Sequence, residues 1–257
     1  MKIIISPTKQ MVIEQDSFVA ESQPLYLDEA KEILNTLKSL AYEDIKALWK
    51  CNEALASKNY EHLHQMDLNQ LLSPAIMSYK GLQFQYIYPD LFTQAELAYV
   101  KENLRILSGF YGILRPFDGI SPYRLEMQAP LAIHPHATLY QFWGHKLYDA
   151  LPLNEEPVIN LASKEYTKAI RPFLKPGDQL IDIVFASCVD GKLKVKATPA
   201  KMARGQMVRF MAEQQVNSLA DLIQFDHPHY RYSSSHSDAT QLVFIHQNTP
   251  SMNGSHR

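Results

Sequence analysis

Apolar and polar positions along the chain recur at two periods, and the switches between them mark out the elements. Lys2, Ile3, Ile4 and Ile5 form a short β-branched run stopped by Pro7, the pattern of a buried strand. Over 27–39 the apolar residues Ala30, Ile33, Leu34 and Leu37 recur at helical spacing and predict a helix. Ile45, Leu48 and Trp49 do the same within a second predicted helix, 42–55. A third is predicted over 93–104, where Thr93 can cap it and Glu96 stands at the capping-box position. The second half predicts strands over 157–161, 180–187, 192–197 and 241–246, all rich in β-formers. Lys192, Leu193, Lys194, Val195 and Lys196 alternate strictly, so one face is apolar and the other carries three lysines. Asp190-Gly191 before them is a hairpin signal. A further helix starts after Thr198, with Pro199 in its first turn.

Helices and strands mix without a regular β-α-β alternation. The expected fold is α+β (mixed α/β): a single compact domain over 1–247, a mixed β-sheet surrounded by helices, and a frayed tail over 248–257. No repeat, low-complexity tract or Gly/Ser linker divides it.

Composition adds limits. With 257 residues, 46% of them hydrophobic and 20% charged, the chain can bury one large core. Cys51 and Cys188 are too few for a disulfide framework or a four-cysteine zinc site, and read as reduced thiols. The opening apolar run is too short for a signal peptide, and no stretch approaches the roughly 20 apolar residues of a membrane span. A cytoplasmic protein with no membrane partner is expected. The ten histidines include the pairs His62/His64, His134/His136 and His227/His229, but no carboxylates cluster beside them. No metal and no cofactor is expected.

The net charge of −2 argues against a generally basic nucleic-acid binder, yet its distribution is uneven. From 191 to 212 the only charged residues are Lys192, Lys194, Lys196, Lys201, Arg204 and Arg209. On a helix the last three fall within an arc of roughly 140°, with Gly205 inside it and Ala203, Met207 and Phe210 opposite. Glycine in a helix costs about 1 kcal/mol, and here it would let a phosphate or another backbone come close.

Four other segments can carry chemistry. In 107–118, Gly109 and Gly112 stand three apart, like the turn of a helix-hairpin-helix that offers backbone N–H groups to a phosphate; the alternative is a helix C-cap at Gly109. Arg115 and Arg124 flank this turn and suit forked phosphate contacts, and Arg124 shares a face with Glu126 if 122–127 is a strand. The aromatic segment 139–144 is core packing or a stacking platform for bases. The segment 158–166 reads as a strand ending in a polar turn, with Asn160, Ser163, Lys164 and Tyr166 as candidates.

Ile5-Ser6-Pro7-Thr8-Lys9, Lys80-Gly81 and the segments 107–118, 122–127, 139–144, 158–166 and 201–205 with Arg209 stand in an order that resembles the YaaA peroxide-stress family, from the first residues to about Phe244. The opening departs from that family's I-S-P-A-K at Thr8. The resemblance implies a mixed α/β fold with a helix-hairpin-helix-like element and a positively charged cleft. It also implies binding of double-stranded DNA with little sequence preference, and a part in iron homeostasis that limits iron-dependent damage by hydrogen peroxide. The cleft role falls on Lys9, Lys80, Arg115, Arg124, Lys164, Lys201, Arg204 and Arg209. A monomer is expected. The competing expectation is an enzyme for a small anionic, nucleotide-like substrate, with Lys9, Lys80, Glu126 and Tyr166 as its catalytic candidates and a buried lysine as nucleophile.

Overall fold

The computed structural model describes residues 1–14, 18–70 and 72–247; the expected tail over 248–257 lies outside them. In chain order the strands and α-helices are β1 (Lys2–Ile5), β2 (Gln10–Met11), α1 (Leu27–Ser39), α2 (Tyr42–Trp49), α3 (Glu53–Gln65), β3 (Ser73–Pro74), α4 (Ala75–Ser78), β4 (Tyr79–Lys80), α5 (Leu82–Ile87) and α6 (Gln94–Asn103). There follow β5 (Leu104–Ser108), β6 (Gly112–Leu114), β7 (Gly119–Ile120), α7 (Leu139–Trp143), α8 (Lys146–Asp149), β8 (Val158–Leu161), α9 (Lys164–Thr167), β9 (Leu180–Val189), β10 (Lys192–Lys194), α10 (Ala197–Glu213), α11 (Leu219–Leu222), β11 (Tyr230–Tyr232) and β12 (Gln241–His246). No helix among the described residues is long and apolar enough to cross a membrane.

Eight strands form one mixed sheet in the order β11-β12-β9-β8-β1-β5-β6, with β10 paired to β9 alone. The inner pairings, β12–β9, β9–β8, β8–β1 and β1–β5, are parallel, and the outer ones are antiparallel. The mixed α/β class expected from the sequence is therefore the class observed. Ile3, Ile4 and Ile5 are wholly buried, as an unbroken apolar run in a parallel strand covered on both faces must be. From β1 the chain crosses to β5 on one side; from β8 it crosses to β9 on the other. The loops leaving β1 and β8 thus part company, and a crevice opens at the carboxyl ends of these two strands.

Sequence and structure agree on α1 residue for residue, and on α6, where Thr93 and Glu96 close the capping box. Three expectations need correction. The segment 42–55 is two helices, not one: Lys50 turns left-handed at φ 48° and Asn52 starts α3 by accepting a hydrogen bond from the Leu55 N–H. The segment around Gly109 and Gly112 is a β-hairpin, β5–β6, and not a helix-hairpin-helix. Its turn N–H groups are already used, because Phe110 N and Tyr111 N donate to Ser108 Oγ at 3.1 and 2.8 Å. Gly109 instead lets the backbone of 125–127 approach, and Gly112 lies flat against the Trp143 ring with φ +74°. Residues 192–197 form only a three-residue strand, and its apolar face is exposed rather than packed.

α10 lies across α5. A Cβ on Gly205 would stand 2.2 Å from the Gln83 carbonyl oxygen and 2.8 Å from Tyr86 Cβ, so only glycine allows this contact. The close approach read from the sequence is thus made by another backbone. Gly205→Ala forces these helices apart, and overpacking of this kind costs about 1–3 kcal/mol. The urea midpoint of the variant is expected to fall accordingly; a wild-type midpoint would show that the contact is not tight.

Candidate functional site

A cavity of about 500 Å³ occupies the crevice at the ends of β1 and β8. The loop after β1 supplies Ser6 to Gln10, and the turn after β8 supplies Ser163, Glu165 and Tyr166. Ser6 ties the two together: its Oγ accepts from Ser163 N at 2.8 Å and lies 3.3 Å from Ser163 Oγ. The short β2–β4 ladder pairs Gln10 with Lys80 and so carries Lys9 and Lys80 to the same rim. Gly81 admits Thr8 at 2.8 Å from the position of a Cβ, so the residue that departs from the resembled opening packs on the Lys80-Gly81 turn. Arg124 and Glu126 come from the loop after β7, Gln83 from α5, Lys201 and Arg204 from α10, and Trp49 and Lys50 from the end of α2.

Six cationic side chains, Lys9, Lys50, Lys80, Arg124, Lys201 and Arg204, meet two carboxylates, Glu126 and Glu165, around this space. Lys9 Nζ pairs with Glu126 at 2.8 Å. Among the described residues, Lys80, Arg124, Lys201 and Arg204 have no carboxylate within ion-pair distance. Burial pulls the Arg204 guanidinium below its ordinary value, and Asp182 acts weakly the other way. Among the described residues, four buried side-chain nitrogens have no hydrogen-bond partner: Trp49 Nε1, Gln83 Nε2, Arg124 Nε and Arg204 Nε. All four belong to residues that line this one cavity. All four are donors, and leaving a buried donor unmatched costs about 1–3 kcal/mol each. Such a set is matched by a ligand rich in acceptor oxygens.

Beneath the cavity lies a closed tyrosine network. Tyr123 OH is 2.7 Å from Ser108 Oγ and 2.9 Å from Tyr79 OH. Burial pushes the Tyr123 hydroxyl up to about 12 and that of Tyr79 well above its ordinary value, so both stay neutral. Tyr166 is raised well above its ordinary value by burial first and then by Tyr123, Glu165 and Glu126.

The other candidates lie apart from the cavity or serve the scaffold. Arg115 Nε donates to the buried Asp118 at 3.0 Å, and Arg115 Nη2 donates to Gln23 O at 2.8 Å. Asn160 Nδ2 donates to Asp182 Oδ1 at 2.6 Å, while Asn160 Oδ1 accepts from Ala162 N, which fixes the β8 turn. Lys164 is exposed at the start of α9, outside the cavity lining. Arg209 pairs with Glu213 at 2.7 Å and faces a second cavity beyond α5. The single basic arc of α10 is thus split, because Gly205 is covered by α5 between Arg204 and Arg209. The aromatic segment 139–144 forms α7, with Leu139, Phe142 and Trp143 in the core. Among the described residues no group of three His, Cys, Asp or Glu side chains is placed to hold a metal ion.

The Glu165 carboxyl is held above the ordinary carboxylate range by burial first, with the Gln128 N–H opposing, and then by Glu126, with Lys9 opposing. The folded protein therefore holds this proton more tightly than the unfolded chain does. Its contribution to stability is complete below about pH 4.3 and is lost as pH rises through the raised value. Glu165→Gln is expected to flatten that decline in urea midpoints measured across pH. Parallel profiles for variant and wild type would remove the burial argument.

Comparison with known proteins identifies the family. Residues 1–236 match the family described as "Peroxide stress protein YaaA". A "UPF0246 protein" of Lactiplantibacillus plantarum is 56% identical over 247 residues, covering 96% of this chain and 100% of the relative. One from Pediococcus pentosaceus is 54% identical, covering 95% of this chain and 98% of its own length. Another, from Agathobacter rectalis, is 45% identical with 95% and 98% covered. From its first strand to its last helices, the chain belongs to the YaaA peroxide-stress protein family.

Proposed function

We propose that this protein serves the peroxide-stress response by binding DNA, with backbone phosphate entering the cavity at the ends of β1 and β8. The observation that carries this reading is that six cationic side chains line one cavity, together with the four residues whose buried donors are unmatched among the described residues. A phosphate offers several acceptor lone pairs and a charge, and guanidinium forks suit its geometry. Contacts of this kind position a duplex without reading bases, so little sequence preference is expected. Phosphates covered by protein are closed to ferrous iron, which turns peroxide into hydroxyl radical; this would limit iron-dependent damage to the bound DNA.

A second reading, an enzyme for a small nucleotide-like anion, has one observation in its favour: 500 Å³ lies within the range of small-molecule sites. Against its lysine chemistry, the Lys9 side chain is 57% exposed and paired with Glu126, and Lys80 is exposed. A neutral nucleophilic lysine needs burial.

Fluorescence anisotropy with two duplexes of unrelated sequence tests the proposal. Affinity should fall steeply with salt and alike for both. Lys201→Ala, at an exposed position, should weaken both equally and make the log–log salt slope shallower by about 1. A mononucleotide that binds tightly while neither duplex does would transfer the assignment to the enzyme reading.

A further inference from the structure

One element of the sheet takes no part in the cavity. β9 pairs with β8 up to Asp182 and with β12 up to Ala186, and beyond that its only partner among the described residues is β10. The two strands turn through Asp190 and Gly191 at φ 52° and 70°, the pair of left-handed residues that a two-residue type I′ hairpin requires. Every residue from 188 to 198 is exposed. A two-stranded ribbon standing alone is marginal in water, so an uncovered one suits a surface that is covered when a partner binds.

The chemistry of the ribbon limits the partner. Lys192, Lys194 and Lys196 alternate onto one face, and Leu193 and Val195, 37% and 55% exposed, onto the other. Among the described residues none of the three lysines forms an ion pair, and the only carboxylate of the ribbon is Asp190 at its tip. α10 begins at Ala197, so the row of cations continues into the cavity. Lys192 to Lys196 spans about 13 Å of extended chain, and Lys196 to Lys201 about 7 Å of helix.

We propose that the β9–β10 ribbon is an arm that lies along duplex DNA, with Lys192, Lys194 and Lys196 on its phosphates, while the cavity holds the same DNA nearer the sheet. This rests on the DNA reading above. The partner is argued from charge: a same-sign row leads without interruption to the phosphate-matching cavity. Lysines act there as point charges that read no sequence.

The test uses the full chain and the combined variant Lys192→Ala, Lys194→Ala, Lys196→Ala, whose changes are all at exposed positions. Circular dichroism checks that it folds. The probes are a duplex long enough to reach past the cavity and a dinucleotide that is not. The variant should lose duplex affinity about tenfold or more near 0.1 M salt, with a log–log slope shallower by about 2–3. Its dinucleotide affinity should match wild type. Wild-type duplex affinity and slope in the variant would overturn the arm while Lys201→Ala still weakens binding, leaving the cavity reading in place. If wild type itself binds no duplex, both readings fall together. Loss of binding to anionic lipid vesicles, with duplex binding intact, would overturn the proposal in favour of a membrane surface.

Discussion

The site depends on how the sheet is connected around its central strand. β1 is buried on both faces between β5 and β8, and the chain leaves β1 and β8 toward opposite edges. Parallel strands whose connections diverge leave a gap at their carboxyl ends, and hydrophobic burial of Ile3, Ile4 and Ile5 holds that gap in place. Ser6 and Ser163 mark its floor by hydrogen-bonding each other across the divergence. The cations reach it from elements far apart in sequence, on α2, β4, the loop after β7 and α10.

The wall formed by α5 and α10 sets the electrostatics. Gly205 brings α10 against the Gln83 carbonyl, and this contact carries Arg204 and Gln83 to the same side of the cavity. Their buried donors, with those of Trp49 and Arg124, have no partner among the described residues. Stabilising such groups within the protein would require carboxylates or carbonyls that the fold sends elsewhere: Asp118 to Arg115, Asp182 to Arg171 and Asn160, and Glu213 to Arg209. Among the described residues, those that carry the unmatched donors all line the cavity at the ends of β1 and β8.

Much of the scaffold was legible in the sequence. The Ile3–Ile5 run, the periodic apolar face of α1 and the Thr93–Glu96 box are local signals that tertiary packing does not override. Of the residues that line the cavity, Lys201 and Arg204 were legible from one helix face and Arg124 from its place beside the glycine turn, while Lys9 and Lys80 entered only through the family resemblance. Arg115 and Arg209 lie outside the cavity and pair with Asp118 and Glu213, which a sequence does not show because it does not say which carboxylate a guanidinium will meet in space; the helical or turn spacing of those carboxylates was the available signal. Gly109 and Gly112 looked like a phosphate turn because glycine spacing cannot distinguish a ligand from a tryptophan ring that needs the same room. Trp49, Lys50, Gln83 and Glu165 were missed as site residues. Asn52 signalled the helix break that turns Lys50, but nothing local signals that Gln83 lies under α10.

The central claim is that unmatched donors in the cavity are satisfied by an anionic ligand. The chain has two tryptophans, and they differ in the one relevant respect: Trp143 Nε1 donates to Gly109 O at 3.0 Å, while Trp49 Nε1 has no partner among the described residues. Titration of the protein with duplex DNA, followed by the two indole N–H resonances in NMR, separates them. The Trp49 resonance should shift and gain protection from solvent exchange while that of Trp143 stays in place; saturating DNA that leaves Trp49 unmoved would contradict the account.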